Sequence, residues 1–226
     1  MKRQNPSIFN DIVGPIMVGP SSSHTCAPSR IGYMAQQLLK GNLKKCIIEF
    51  AKDGAYTKMY KGQRSDMGYV NGLLGRRPED PRLKYAFEDA RNLGVEIVFQ
   101  IVDFPPVVPN ISHLILESDI GEKVFVASDS TGGGTFRLLE IDGFKTDIVG
   151  DCYEVLVFFS GTEQDGYKLL QQIESVFKVN EGTSIDIKND KGLINIKRRI
   201  ALTGTEYETI ESMKNVSCVK ILKPIL

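Results

Sequence analysis

The chain has 226 residues, which is enough for one large domain or two small ones. Hydrophobic residues make up 42% of it and charged residues 25%, as in an ordinary globular protein. Its 28 Lys and Arg residues balance 28 Asp and Glu residues, so composition predicts neither nucleic-acid binding nor attraction to an acidic membrane surface.

The N-terminal residues and the cysteines indicate where such a protein works. Residues 1–10 carry Lys2 and Arg3 but no apolar segment typical of a signal peptide, and no apolar run is long enough to span a bilayer. The cysteines lack Cys-x-x-Cys spacing, which favours free thiols over a disulfide framework or a metal site. We therefore expect a cytoplasmic protein with four free cysteines, namely Cys26, Cys46, Cys152 and Cys218.

A serine-rich segment near the start is the first candidate site. Residues 19–25, called the serine loop below, read Gly-Pro-Ser-Ser-Ser-His-Thr and lie between an apolar segment at 12–18 and a predicted helix at 29–40. Hydroxyls beside the free N–H groups of a helix start are suited to hold a carboxylate or phosphate, and His24 can change charge near neutral pH. The alternative is an ordinary helix-capping loop, because Ser and Thr are preferred N-caps.

The spacing of apolar residues predicts alternating helices and strands as far as residue 102. A good N-cap and first-turn proline, Asp80 and Pro81, mark the clearest helix, which Gly94 ends. This order indicates an α/β layer arrangement. The predicted elements are helices at 29–40, 55–60, 66–74 and 81–93, and strands at 46–50 and 95–102.

The next segment has the pattern of a β-meander. Residues 103–110 contain three prolines and are predicted to form a loop. Strands at 111–117 and 123–128 follow as a hairpin, and then a glycine-rich loop at 130–134 leads to a strand at 135–141.

The last 75 or so residues have a different pattern. Strands are predicted at 153–159, 184–188, 193–200 and 216–222, and helices at 165–178 and 205–214. This β-α-β-β-α-β order is typical of a four-stranded antiparallel sheet backed by two helices. We place a domain boundary near Gly150, which gives domains at 1–150 and 151–226.

Four stretches together resemble the beta subunit of the iron–sulfur-dependent L-serine dehydratases, also called L-serine ammonia-lyases. The longest reads Phe-Asn-Asp-Ile-Val-Gly-Pro-Ile-Met-Val and continues into the serine loop. The resemblance covers most of residues 8–144, and its stretches lie at 9–25, at 60–66 with 72–75, at 130–134 and at 140–144.

This resemblance implies a two-domain α/β (α+β) fold. The first domain would be of the allosteric substrate-binding type, and the second would be an ACT-like βαββαβ domain, a module that senses amino acids. The family's turn of the Asp-x-Pro-Gly type after the first ACT strand is absent, because residues 160–166 read Ser-Gly-Thr-Glu-Gln-Asp-Gly.

The resemblance also implies a reaction. Family members deaminate L-serine to pyruvate and ammonia together with an alpha subunit that carries a [4Fe-4S] cluster, and they use no pyridoxal phosphate. One iron would take the serine hydroxyl as leaving group, while this chain forms the opposing wall and supplies no metal ligand. A heterotetramer, or a homo-oligomer through the C-terminal domain, is expected. His24 would be catalytic, and the substrate-binding residues would be Ser21, Ser22, Ser23, Thr25, Asp66 and Asn110.

Three departures from the family pattern keep other functions open. After the serine loop the family usually continues with Ala-Gly or Gly-Pro, whereas residues 26–28 here read Cys-Ala-Pro. Gln63 and Val108 stand where the family commonly has imidazoles, and neither can carry a proton near pH 7. The second hypothesis is therefore a catalytically degenerate protein that binds an amino acid or small carboxylate and regulates a partner. The third is a dimerising scaffold without a ligand.

Three further residues have two readings each. The other histidine, His113, lies among apolar residues of a predicted strand and is interpreted as structural rather than as a replacement for the missing imidazole. Asp66 is either a substrate-binding residue or the N-cap of the next helix. Cys26 is either a packed thiol or one whose pKa the helix N-terminus lowers.

Overall fold

Two β-sheets organise the part of the chain that the structure, a computed structural model, describes, namely residues 14–177 and 180–226. The helices are α1 (Ala27–Gln36), α2 (Ala55–Met59), α3 (Ser65–Leu73), α4 (Ala86–Asn92), α5 (Glu163–Val176) and α6 (Gly204–Glu211). The strands are β1 (Leu43–Ala51), β2 (Glu96–Val102), β3 (Ile111–Ser118), β4 (Lys123–Gly132), β5 (Thr135–Ile141), β6 (Phe144–Ile148), β7 (Tyr153–Ser160), β8 (Gly182–Lys188), β9 (Lys191–Arg198) and β10 (Val216–Leu222).

The first sheet has six strands in the order β2-β1-β3-β4-β5-β6. Only the β1–β2 pair is parallel, and the strands from β1 through β3 to β6 pair antiparallel. Apolar side chains from alternate positions of β1, β3 and β4, such as Ile48, Leu114 and Val126, are fully buried under the helices. The predicted helix-containing half followed by a meander is therefore confirmed.

Three glycines let α1 and α3 cross with their backbones almost in contact. A Cβ atom on Gly72 would lie 1.9 Å from the carbonyl oxygen of Ser29, and one on Gly32 would lie 2.6 Å from that of Tyr69. A Cβ on Gly68 would lie 2.4 Å from the carbonyl oxygen of Thr25. Because α1 follows the serine loop directly, this crossing also fixes the loop against α3.

The second sheet has the order β10-β7-β9-β8, and all its strand pairs are antiparallel. Helix α5 is capped by Thr162 and α6 by Thr203, each through a reciprocal bond with the acidic residue three positions later. The helices bury one face of the sheet, with Val155, Val157 and Ile194 in that core. The predicted βαββαβ order is confirmed.

The opposite face of the second sheet packs against the first. Leu156, Leu222 and Ile225 belong to the same buried apolar cluster as Leu138 of β5. Since the two parts share this cluster, the boundary near residue 150 stays a prediction.

Several element boundaries differ from the prediction. The helix expected from Pro81 begins as a 3₁₀ turn, Pro81–Tyr85, before α4. Strand β4 continues to Gly132, so only the end of the predicted loop at 130–134 is a turn. Strand β6 was not predicted, and the predicted end of α5 at Lys178 lies outside the described residues. Among the helices of the described ranges, none combines the length and apolar character that crossing a bilayer needs.

Candidate active site

The serine loop ends in a wide helical turn. Residues Ser22–Cys26 form a π-helical turn in which the carbonyl oxygen of Ser21 accepts from the N–H of Thr25 at 2.8 Å and that of Cys26 at 3.2 Å. The hydroxyl of Ser21 also accepts from the N–H of His24 at 3.1 Å, as an N-cap does. The loop therefore does cap a helix, and it places His24 inside the turn.

His24 is held at one ring nitrogen and unpartnered at the other. Its side chain is almost buried, with 8% of its surface exposed. The Ser23 hydroxyl lies 2.9 Å from Nδ1, whereas Nε2 is buried and hydrogen-bonds to no described residue. The ring meets that of Tyr56 edge to face at 5.3 Å between centroids. Burial lowers the pKa of His24, which favours the neutral imidazole at neutral pH.

Most of the other hydroxyls of the loop already form hydrogen bonds within the protein. Thr25 is fully buried, and its hydroxyl donates to the carbonyl oxygen of Gln63 at 2.7 Å. The hydroxyls of Ser21 and Ser23 lie 3.4 Å apart, and Ser22 is half-buried. The predicted binding set is therefore together in space, but most of its donors already have partners.

A chain of buried hydroxyls lies behind the loop. The Tyr69 hydroxyl is 2.6 Å from that of Ser112, which is 2.8 Å from that of Ser128. The Ser128 hydroxyl donates to the carbonyl oxygen of Ser112, so each earlier hydroxyl must donate toward Ser128. Next to this chain, Ser130 donates to the carbonyl oxygen of Ser23 at 2.8 Å. The meander thereby holds the serine loop in place.

Of the two predicted binding residues outside the loop, Asn110 is linked to the loop through Ser130, whereas Asp66 forms no hydrogen bond to it among the described residues. Asn110 donates to the carbonyl oxygen of Ser130 at 3.0 Å and keeps a buried, unpartnered Oδ1, so it joins the site through Ser130. No hydrogen bond links the Asp66 side chain to the serine loop within the described residues. The N-cap of α3 is Arg64, so the alternative that Asp66 caps this helix is wrong. Burial raises the pKa of Asp66.

Neither Gln63 nor His113 replaces a missing imidazole at the loop. The side-chain amide of Gln63 lies 3.3 Å from the sulfur of Met59, and only its backbone contacts the loop. His113 stacks on Phe104 at 4.1 Å between centroids, and its Nδ1 is 3.7 Å from a carboxylate oxygen of Glu49. Burial lowers the pKa of His113, and Glu49 opposes this effect. These contacts favour the structural interpretation of His113.

Cys26 packs against the second glycine-rich segment. It is fully buried, and a Cβ atom on Gly134 would lie 3.2 Å from its sulfur. Burial raises the pKa of the thiol to about 11, which favours the interpretation of Cys26 as a packed thiol over one whose pKa the helix N-terminus lowers. Since no group of three potential ligands occurs among the described residues, the residues of this part of the chain do not fit an iron–sulfur cluster.

Two residues at the site were missed from the sequence. The buried hydroxyl of Tyr56 has no hydrogen-bond partner among the described residues, and burial followed by the neighbouring Tyr69 raises its pKa well above the ordinary value. Arg30 donates from Nη1 to the carbonyl oxygen of Gly134 at 2.7 Å. Its position four residues after Cys26 on a predicted helix was the only available signal, whereas nothing marked Tyr56.

The fold and the loop define an α/β protein with a histidine-containing site at the start of a helix. No protein-family model matches the chain. It is 32% identical over 189 residues to the probable L-serine dehydratase, beta chain, of Bacillus subtilis (strain 168), covering 82% of each chain. It is also 32% identical over 148 residues to the L-serine dehydratase, beta chain, of Peptoniphilus asaccharolyticus, covering 65% of this chain and 66% of that one. The chain belongs to the L-serine dehydratase beta-chain family.

Proposed function

We propose that this protein is the beta subunit of a cytoplasmic iron–sulfur L-serine dehydratase. With an alpha subunit that carries a [4Fe-4S] cluster, and without pyridoxal phosphate, it deaminates L-serine to pyruvate and ammonia. The names of the two relatives support this proposal, and the words "beta chain" imply an alpha partner. In the same proposal the first part is an allosteric substrate-binding type domain and the second an ACT-like domain, as the βαββαβ order supports.

The observation that carries the proposal is the state of His24. Deamination of serine requires loss of the Cα proton, and a neutral imidazole can accept a proton near pH 7. In the tautomer whose Nδ1 donates to the Ser23 hydroxyl, Nε2 has a free lone pair and no described partner. Burial keeps water from this nitrogen, which strengthens its interaction with a bound substrate.

The cluster is assigned to the alpha subunit because the described residues of this chain offer no ligand set for it. This chain would bind and orient the substrate from the other side. Its tasks are to present Nε2 of His24 and to hold the amino acid at the serine loop.

Replacing His24 in the assembled enzyme tests the proposal. The chain is co-expressed with its alpha subunit under anaerobic conditions, and pyruvate formation from L-serine is measured. Loss of a general base costs roughly 10²- to 10⁴-fold in rate. We therefore expect the His24→Gln complex to form pyruvate at least about 100-fold more slowly than the wild type. His113→Gln is the matched control and should keep its activity, since His113 stacks on Phe104 away from the loop. An inactive wild-type complex, or an active His24→Gln complex, would contradict the proposal.

One observation favours the second candidate, a small-carboxylate binding or regulatory protein. No second imidazole joins His24, because the side chain of Gln63 faces Met59 and the other histidine stacks on Phe104. This candidate predicts heat from titration of the chain with L-serine, together with no pyruvate from the complex. Pyruvate formation would decide for the dehydratase.

A further inference from the structure

Arg30 lies in the first turns of α1, directly after the serine loop. Its guanidinium is fixed at one end, since Nη1 donates to the carbonyl oxygen of Gly134 at 2.7 Å. Gly134 must be glycine there, because a Cβ atom would lie 2.7 Å from Pro15 and its φ is +84°. At the other end, Nε is buried and has no hydrogen-bond partner among residues 14–177 and 180–226.

The positive charge of Arg30 has no ion-pairing carboxylate in the part of the chain that the structure describes. Comparable arginines in the described residues each have one: Arg76 lies 2.7 Å from Asp89, and Arg198 lies 3.1 Å from Glu206. No salt bridge within 4.0 Å joins Arg30 to a described acidic residue. Burial lowers the pKa of Arg30, and the opposing effects of Cys26 and Glu79 offset this only in part.

Two charged neighbours, Glu79 and Arg77, do not together supply the missing anion. Glu79 and Arg77 both lie close enough to influence Arg30, and their charges oppose each other. Glu79 also pairs with Arg77 itself, at 3.1 Å. The group formed by these three residues therefore keeps a net charge of about +1 beside the serine loop.

The N–H groups on the Nε side of Arg30 are of the kind that bind a carboxylate. With Nη1 occupied by Gly134, the N–H groups on the Nε side form the planar pair that binds both oxygens of a carboxylate at once. The hydroxyls of the serine loop are neutral and mostly have partners, so they cannot supply this charge.

We propose that Arg30 binds the carboxylate of the small ligand that the serine loop receives. This inference rests on the proposed function for the identity of the ligand, L-serine, but it concerns a different residue and a different chemical group. Arg30 would hold the carboxylate, while His24 would face the Cα proton.

The test compares L-serine with L-serinamide, whose carboxamide has the same shape but no charge. Binding of both compounds to the complex with the alpha subunit is measured by calorimetry, and KM and kcat for L-serine are measured in parallel. We expect the wild type to prefer L-serine, and Arg30→Gln to lose roughly 10- to 100-fold in affinity for L-serine with little change for L-serinamide. KM should rise more than kcat falls.

Two further variants complete the design. Arg30→Lys keeps the charge but loses the planar pair, so it should recover only part of the preference, and it replaces Arg30→Gln as the test if that variant fails to fold. Arg82→Gln is the control, because Arg82 is exposed and paired with Asp80 at 2.6 Å. The Arg82→Gln complex should prefer L-serine over L-serinamide as strongly as the wild type does.

Three results would overturn the assignment: no binding of L-serine by the wild-type complex, an unchanged preference in the Arg30 variants, or weaker binding of the alpha subunit with an unchanged preference. The last result would place Arg30 at the subunit interface. A wild-type complex that forms no pyruvate but prefers L-serine through Arg30 would refute the proposed function and support this inference.

Discussion

A buried carboxyl group between the two sheets makes the stability of this protein depend on pH. Glu154 on β7 is fully buried, and neither carboxylate oxygen has a hydrogen-bond partner in the described residues. The nearest cation is Lys197, whose Nζ is 3.9 Å away and donates instead to the carbonyl oxygen of Asp147. Burial raises the pKa of Glu154 to about 8, and Lys197 opposes this effect only in part.

The sign and size of the effect follow from the pKa in the two states. The carboxyl pKa is 4.5 without the folded environment and about 8 within it, so between these values the folded state holds a proton that the unfolded state releases. Stability from this group is therefore lost as pH rises from 4.5 to 8. At pH 7 the cost is about 2.5 × 1.36, or roughly 3 kcal/mol.

Replacing Glu154 by Gln should remove this cost, because a carboxamide resembles the neutral carboxyl group and does not titrate. We expect Glu154→Gln to be more stable than the wild type by roughly 3 kcal/mol at pH 7, by more at pH 8, and by almost nothing near pH 4.5. Urea unfolding at these three pH values measures the difference, with Glu208→Gln on the exposed side of α6 as the control. If the difference in unfolding free energy between Glu154→Gln and the wild type did not change with pH, the reasoning would be refuted.

Two other substitutions test the support of the site. Gly72→Ala places a Cβ 1.9 Å from the carbonyl oxygen of Ser29, so α1 and α3 must separate. We expect the free energy of unfolding, measured by thermal denaturation, to fall by about 3 kcal/mol. An unchanged melting temperature would contradict the close crossing. Ser23→Ala removes the hydroxyl 2.9 Å from Nδ1 of His24 and should lower kcat about tenfold while the fold, monitored by circular dichroism, stays intact. Equal kcat values would show that Ser23 does not orient the imidazole.

The periodicity of apolar residues predicted most of the fold because each helix and strand buries one face. Strands β5 and β10 were predicted with their observed bounds, Thr135–Ile141 and Val216–Leu222. Strand β6, Phe144–Ile148, was missed because its five residues include three polar ones and no run of apolar residues. The π-helical turn Ser22–Cys26 was missed because its bonding differs from that of an α-helix by a single residue, which no apolar pattern records.

The site was harder to predict than the fold, since its chemistry depends on contacts between distant segments. Residue types alone located the serine loop, but they could not show that Thr25 donates to the carbonyl oxygen of Gln63. Nor could they show that Ser130 donates to the carbonyl oxygen of Ser23, across 107 positions. These bonds decide which hydroxyls remain for a ligand. The unpartnered nitrogens of His24 and Arg30 are likewise visible only once their neighbours are known.

His24 and Arg30, each with a buried nitrogen that has no hydrogen-bond partner among the described residues, have complementary properties. His24 is nearly neutral because burial disfavours its charged form, whereas Arg30 keeps a charge that no described carboxylate balances. A neutral base and a fixed cation suit a zwitterionic substrate, since one can accept the Cα proton while the other holds the carboxylate. Departure of the serine hydroxyl needs a third group, and the described residues offer no ligand set for a cluster that could assist it. In the proposed reaction this step falls to the alpha subunit, and the words "beta chain" in the names of the relatives imply such a partner.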